Sequence, residues 1–197
     1  MFALPPGTRA ILLANVLLFL IQLATHDQLT GLLALQPPGP DFHLWQLVTY
    51  AFLHEQPAHI FFNMFALFMF GGQLERFFGT SRFLQYYFAC VLAAALVQLA
   101  TEALSGVGEP TLGASGGIFG LLLAFGLYFP RQRVFVLPIP VPIPAWLFVT
   151  FYALVELFLG VTGREANVAH FAHLGGMLGG AVMILLWQAE GRPRGQL

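Results

Sequence analysis

Leu112-Gly113-Ala114-Ser115-Gly116-Gly117-Ile118-Phe119-Gly120 opens an apolar run that continues to Phe129 and stops before Arg131. Ser115 is one of three serines in the chain, and the other two, Ser81 and Ser105, stand in turn-like sequence. Gly113 pairs with Gly117, and Gly116 with Gly120, at a spacing that puts each pair on one face of a helix. Small residues so placed let helix backbones approach closely in lipid. A second region repeats the pattern: in His173-Leu174-Gly175-Gly176-Met177-Leu178-Gly179-Gly180, Gly175 pairs with Gly179 and Gly176 with Gly180. His173, Gly176 and Gly180 share a helical face.

The residues around these two stretches define the solvent. Of 197 residues, 58% are hydrophobic and 9% charged, against about 25% charged in an ordinary soluble domain. The mean hydropathy is +0.77. This composition excludes a water-soluble enzyme and a disordered chain. The eight basic residues are all Arg and the nine acids leave a net charge of -1, so no basic patch is available and no nucleic-acid partner is expected. The lone Cys90 lies in an apolar run, which leaves neither a disulfide framework nor a cysteine metal cluster.

Six apolar stretches, at 10–25, 58–74, 83–104, 113–129, 144–161 and 167–189, approach the length of about 20 residues that a spanning helix needs. Lipid gives the backbone no hydrogen-bond partners, so each is expected to be helical. The expected fold class is all-α: one polytopic domain over 1–197, a bundle of six transmembrane helices, with 190–197 as a cytoplasmic tail. The first stretch reads as a span and not as a signal peptide, because Leu23-Ala24-Thr25-His26 is a poor cleavage site. Arg9, Arg76, Arg82, Arg131, Arg133, Arg192 and Arg194 fall on one side of such a bundle and only Arg164 on the other. The positive-inside rule then puts both termini in the cytoplasm and turns 28–56, 105–112 and 163–166 outward. Asp27, Asp41, Glu55, Glu109 and Glu165 lean outward as well.

Segment 28–56 has no basic residue and carries Trp45 and Tyr50. It is expected to be a structured outer loop embedded partly in the outer leaflet. Alternating prolines from Pro138 to Pro144 predict an extended, polyproline-like connector. No internal repeat is present, which removes sequence support for an inverted-repeat transporter.

Polar groups inside a membrane are costly and mark function. Ser115 lies sixteen residues above Arg131, or ~24 Å along a helix. His173 lies fourteen residues before Trp187, or ~21 Å. The two fall at similar depth on helices of the same direction with glycine faces, an arrangement that reads as a nucleophile and its general base. His59 and Asn63, four residues apart near the outer end of the second span, are candidate oxyanion donors. The backbone N–H groups around Ala114 and Ser115 would join them, with Gly113 and Gly116 giving the close approach. No acid stands near His173 in sequence. Glu156 lies in the fifth span with nothing to aim it at His173 and reads as a cavity-facing or interhelical acid, so a Ser–His dyad is expected. Phe119, one turn below Ser115, is the candidate ring to lie against His173.

Two rivals remain at this point. His54-Glu55-Gln56-Pro57-Ala58-His59 resembles a zinc-protease helix motif, but the histidines are five apart with Pro57 between them and do not share a face. Neither a metal nor a cofactor is therefore expected. A non-catalytic membrane binder or a transporter is the other alternative.

Over roughly 43–188 the chain resembles the rhomboid family of intramembrane serine proteases. The resemblance rests on Trp45; on His54, His59 and Asn63 in the spacing H-x4-H-x3-N; on Gly71-Gly72-Gln73-Leu74-Glu75 followed by Gly79; on Gly113-Ala114-Ser115-Gly116; and on Ala172-His173-Leu174-Gly175-Gly176-x3-Gly180. It implies peptide-bond hydrolysis in or beside transmembrane segments of protein substrates, with the lipid bilayer as the other partner. It makes Ser115 the nucleophile, His173 the base and acid, and His59 and Asn63 the oxyanion donors. The all-Arg, Ala/Gly-rich usage points to a bacterium, so a bacterial inner membrane is the expected location, and the arginine placement turns the site outward. Gln46 stands where family members often carry Arg, and Phe119 where they often carry Tyr. His170 is a rival base that the Ala-His-x-Gly-Gly context disfavours, and His54 reads as structural, bonding within the outer loop region.

Overall fold

A computed structural model describes residues 3–25, 28–136, 139–162 and 169–190. The expectations for Asp27, for the loop 163–166 with Arg164 and Glu165, for the start of the last span at Asn167, and for the tail with Arg192 and Arg194 lie outside the described residues.

Helix α1 spans Pro6–Ala24 and starts on a proline, whose fixed φ and missing N–H suit a first turn. The N–H groups that its first turn leaves free are taken by a distant carboxylate. Gly7 N and Thr8 N donate to Glu75 at 2.8 and 2.6 Å, the Thr8 hydroxyl donates at 2.7 Å, and the Thr80 hydroxyl at 2.8 Å. A negative group at a helix N-terminus also meets the favourable end of its dipole. Glu75 thus ties three elements at one end of the molecule, a role the sequence did not disclose.

After short helices α2 (Gln28–Leu33) and α3 (Gln46–Thr49), helix α4 runs over Pro57–Ala66 and α5 over Gly72–Phe78. The intervening Leu67–Gly71 is a wider, π-type turn flanked by helical dihedrals, so 57–78 is one helix with a bulge. Gly79, at φ +79°, reverses the chain straight into α6 (Thr80–Ser105). Helices α7 (Ser115–Tyr128), α8 (Ala145–Thr162) and α9 (His170–Ala189) follow.

Helices α1, α6, α8 and α9 are each long and apolar enough to cross a membrane, and α7 is apolar but shorter. Leu17, Phe61, Leu96, Leu154 and Leu185 point outward from the bundle. Such a surface suits hydrocarbon, because a soluble monomer rarely carries broad apolar patches. The molecule is a mostly helical integral membrane protein.

Helix α7 is the centre of the packing, with Gly116–Leu122 and Ala124–Gly126 buried. Its contact with α9 is backbone to backbone: a Cβ added at Gly176 would overlap the carbonyl oxygen of Gly116, and one at Gly120 would lie 3.0 Å from the Gly176 oxygen. Gly175 and Gly179 turn instead to α6, against Val97 and Ala93. Gly180 also turns to α6, against Tyr86 and Cys90, so of the four α9 glycines Gly176 meets α7 and the other three meet α6. Tyr86 on α6 donates its hydroxyl to the Gly120 carbonyl at 2.8 Å, fixing α7 along its length.

The connector between α7 and α8 corrects a sequence expectation. Strands β1 (Arg133–Val136) and β2 (Ile139–Pro144) form an antiparallel pair, with Arg133 opposite Pro144 and Val136 opposite Ile139. Alternate prolines do favour extended backbone, as expected. In a two-stranded ribbon both strands are edges, so the residues between the prolines remain free to pair.

The segment 28–56, expected to face outward, is held by Gln46, which is fully buried. Its carbonyl oxygen accepts from His43 N at 3.0 Å and Gln36 N at 3.3 Å, and its amide donates to Leu32 O at 3.3 Å and Asp41 O at 3.2 Å. Trp45 Nε1 donates to the same Leu32 carbonyl at 2.9 Å. Leu35 and Thr111 exchange two backbone hydrogen bonds of 2.9 Å, which clip this segment to the loop leading into α7.

Candidate active site

Helix α7 starts at Ser115, and the residues before it are held in a shape that side chains resist. Gly113 has φ +130°, and a Cβ there would lie 2.8 Å from His59 Nε2. Both the backbone and the imaginary contact require glycine. Gly113 N donates to the Tyr50 carbonyl at 3.0 Å, a second clip to the outer segment. Ala114 is buried at the N-cap. Ser115 follows as the first helical residue, where N–H groups have no partner within the helix.

Ser115 is half-buried, and its Oγ lies 2.8 Å from His173 Nε2. His173 is buried in the first turn of α9. The Gly116–Gly176 approach one turn further in is what brings two short side chains within hydrogen-bond reach. Phe119 lies flat on the His173 ring, with centroids 4.2 Å apart and planes 7° from parallel, and touches Tyr152 of α8 on its other side at 5.9 Å.

Of the other residues singled out in sequence, His59 is half-buried beside Gly113, at the mouth of the same site. Asn63 is buried one turn further along the same face of α4, and its amide makes no hydrogen bond among the described residues. Gly116 faces Ala94, with the Tyr50 hydroxyl and the Ala172 carbonyl beyond.

Two expectations change. First, an acid does reach His173. Glu156 is buried on α8 with Oε2 at 2.9 Å from His173 Nδ1 and 2.7 Å from His170 Nδ1. The His170 contact is a well-formed hydrogen bond. The His173 contact has hydrogen-bond length, but the ring N–H does not point squarely at the oxygen. Hydrogen bonds in such sites often stand misaligned before substrate binds. His170 turns its Nδ1 to Glu156, and the imidazole that meets Ser115 Oγ is that of His173. Second, the His54 imidazole does not bond within the outer loop. Its backbone N–H donates to Gln22 Oε1 at 3.0 Å, while neither ring nitrogen has a hydrogen-bond partner among the described residues. The ring packs edge-on against Phe19 and His59, and burial, followed by the His59 ring, pushes its pKa down from 6.5 to about 3.

Glu156, His170 and His173 are close enough together to prompt a test for metal binding, with one ligand atom of each inside 4.8 Å. Ligands at 2.0–2.2 Å around a tetrahedral ion stand about 3.4 Å apart. Separations of 2.7 and 2.9 Å are shorter than that and are hydrogen-bond distances, not those of ligands around one ion. Pro57 opens α4, so His54 lies outside the helix that carries His59, and no zinc-protease helix forms there.

A polytopic helical membrane protein with a serine and a histidine in contact near the heads of two glycine-faced helices is a narrow class. Residues 41–189 match the Rhomboid domain family, and the chain belongs to the rhomboid family. It is 36% identical over 135 residues to "Rhomboid protein 1, mitochondrial" of Saccharomyces cerevisiae, covering 67% of this chain and 38% of that protein. It is 31% identical over 138 residues to "Rhomboid protease GluP" of Bacillus subtilis, covering 69% and 24%. Similarity to "Rhomboid protease GlpG" of Photorhabdus laumondii is 29% over 185 residues, covering 91% and 61%. The chain thus spans between about a quarter and three-fifths of the length of these relatives.

Proposed function

We propose that the chain is an intramembrane serine endopeptidase that cuts peptide bonds in or next to transmembrane segments of membrane-protein substrates. The observation that carries this reading is the 2.8 Å contact between Ser115 Oγ and His173 Nε2. A hydroxyl beside an imidazole is a nucleophile beside its base, and here it sits on buried helices where a polar pair needs a reason. The relatives whose names include "protease" support it.

In the proposed reaction Ser115 Oγ attacks the scissile carbonyl carbon while its proton passes to His173 Nε2. The carbonyl oxygen takes the negative charge and is held by backbone N–H groups at the head of α7 and by His59 and Asn63. Collapse of the adduct breaks the C–N bond, and the proton on Nε2 goes to the leaving amine. Water then attacks the acyl-serine, gives its proton to Nε2, and the ester breaks as Ser115 recovers a proton. The fold has six crossings in this reading: α1, the bulged helix 57–78, α6, α7, α8 and α9. Both termini are cytoplasmic, the site opens outward, and a bacterial inner membrane is the proposed location.

Protein reconstituted in lipid and given a fluorogenic transmembrane peptide with small and helix-breaking residues tests this. Ser115→Ala is expected to remove cleavage and also labelling by a serine-directed phosphonate. Cleavage by that variant at the parent rate overturns the reading.

A further inference from the structure

We propose that Glu156 is a positioning residue for His173, so that Ser115, His173 and Glu156 form a three-member line inside the bundle with His170 anchoring the carboxylate. This rests on the reading of Ser115 and His173 as nucleophile and base.

The geometry is continuous from atom to atom. Ser115 Oγ lies 2.8 Å from Nε2 of His173, and Nδ1 of the same ring lies 2.9 Å from Glu156 Oε2. A neutral imidazole carries one proton, so a carboxylate at Nδ1 keeps it there and leaves Nε2 as the acceptor that faces the serine. Phe119 lying flat on the ring blocks rotation out of this plane. Glu156 is itself held by the 2.7 Å bond from His170 Nδ1, one turn earlier on α9. Three helices therefore converge on one proton path: α7 brings the serine, α9 the two histidines and α8 the acid.

The chemical gain falls on one step. When Ser115 Oγ bonds to the scissile carbon, its proton moves to Nε2 and the ring becomes an imidazolium. The Nδ1 proton stays where it is, and the carboxylate remains unprotonated. A buried cation is costly on its own and much less so beside a carboxylate. A carboxylate in the middle of a spanning helix is equally costly without such a partner. Each group gives the other its reason to be there. A mere tether between α8 and α9 would be served by the His170 bond alone, which leaves the approach to His173 unexplained.

The test uses the full chain reconstituted in lipid, with the fluorogenic peptide above. Glu156→Gln keeps the shape and removes the charge. It is expected to lower kcat by about 100-fold or more with KM within about threefold, and Glu156→Asp to recover at least about tenfold of that loss. Nitrogen-15 NMR of His173, assigned by its loss in His173→Ala, is expected to show the Nδ1–H form in the parent and a mixture in Glu156→Gln. The proposal is overturned by a Glu156→Gln kcat within threefold of the parent, by an Asp variant no better than Gln, or by an Nε2–H signal in the parent. That last reading needs no variant at position 156 to fold. Ser115→Ala run alongside separates the two levels. If it still cuts, the reading of the nucleophile fails; if it is silent while Glu156→Gln cuts normally, only the role of Glu156 fails.

Discussion

Single side chains hold this molecule together where backbone groups have no other outlet. Gln46 serves four of them at once in the outer segment. Replacing it with Leu fills the space and strands two N–H groups and the Asp41 carbonyl, while Leu32 O keeps its bond from Trp45, and each stranded group costs about 1 kcal/mol or more when buried. Gln46→Leu is expected to lose about 2–4 kcal/mol in equilibrium unfolding by denaturant in micelles. His54 makes a different demand. Its ring is neutral in the folded protein down to about pH 3, while an unfolded histidine takes a proton near 6.5. Below pH 6.5 the unfolded state binds the extra proton, so stability falls as pH falls, by about 2 kcal/mol at pH 5, and is untouched above pH 7. His54→Leu should flatten that part of the stability–pH curve, and an unchanged slope would show that His54 takes its proton as readily folded as unfolded. Ser115 and His173 were legible because each is a rare polar group beside glycines. Glu156 was not. Helix α8 is apolar on nearly every face, so no periodicity in its sequence says which way residue 156 turns.

Helices here meet through what their glycines lack. A methyl on Gly176 falls onto the Gly116 carbonyl, which is backbone and cannot swing aside. Gly176→Ala must push α9 away from α7, and the Ser115–His173 contact lies one turn from that point. Displacements near 1 Å cost about 100-fold in rate, so at least about a tenfold fall in kcat is expected, with about 1–3 kcal/mol of lost stability. Gly31→Ala on α2 has open space around the new methyl and should leave kcat unchanged in the same assay. The small-residue spacing that makes this prediction was plain in the sequence, because lipid-packed helices have few other ways to come close. The hairpin at 133–144 was not, since proline restricts φ without saying whether another strand lies alongside. The bulge at Leu67–Gly71 was equally hidden, as a π-turn leaves no mark in an apolar run.

At the scale of the whole molecule the arginines and the candidate active site point to opposite ends. Arg9 at the start of α1, Arg76 late in α5, Arg82 early in α6, and Arg131 and Arg133 after α7 share one end. There the Arg82 guanidinium lies 5.9 Å above the ring of Trp187. Ser115, His173 and the Gln46 segment stand at the other. Under the positive-inside rule such a bias sets insertion, and insertion would decide which compartment supplies water to Ser115 in the proposed reaction. The chain's natural cysteine is silent in a labelling test, because Cys90 is fully buried. Leu44 and Val107, 76% and 74% exposed at the serine end, and Phe135, 60% exposed in the hairpin, can each be changed to Cys. In intact bacterial cells a membrane-impermeant maleimide that crosses the outer membrane is expected to label Leu44→Cys and Val107→Cys at once, and Phe135→Cys only after the inner membrane is opened. The reverse pattern would put the serine on the cytoplasmic side and overturn the proposed outward opening, while leaving the helix packing and the Ser115–His173 contact as they are.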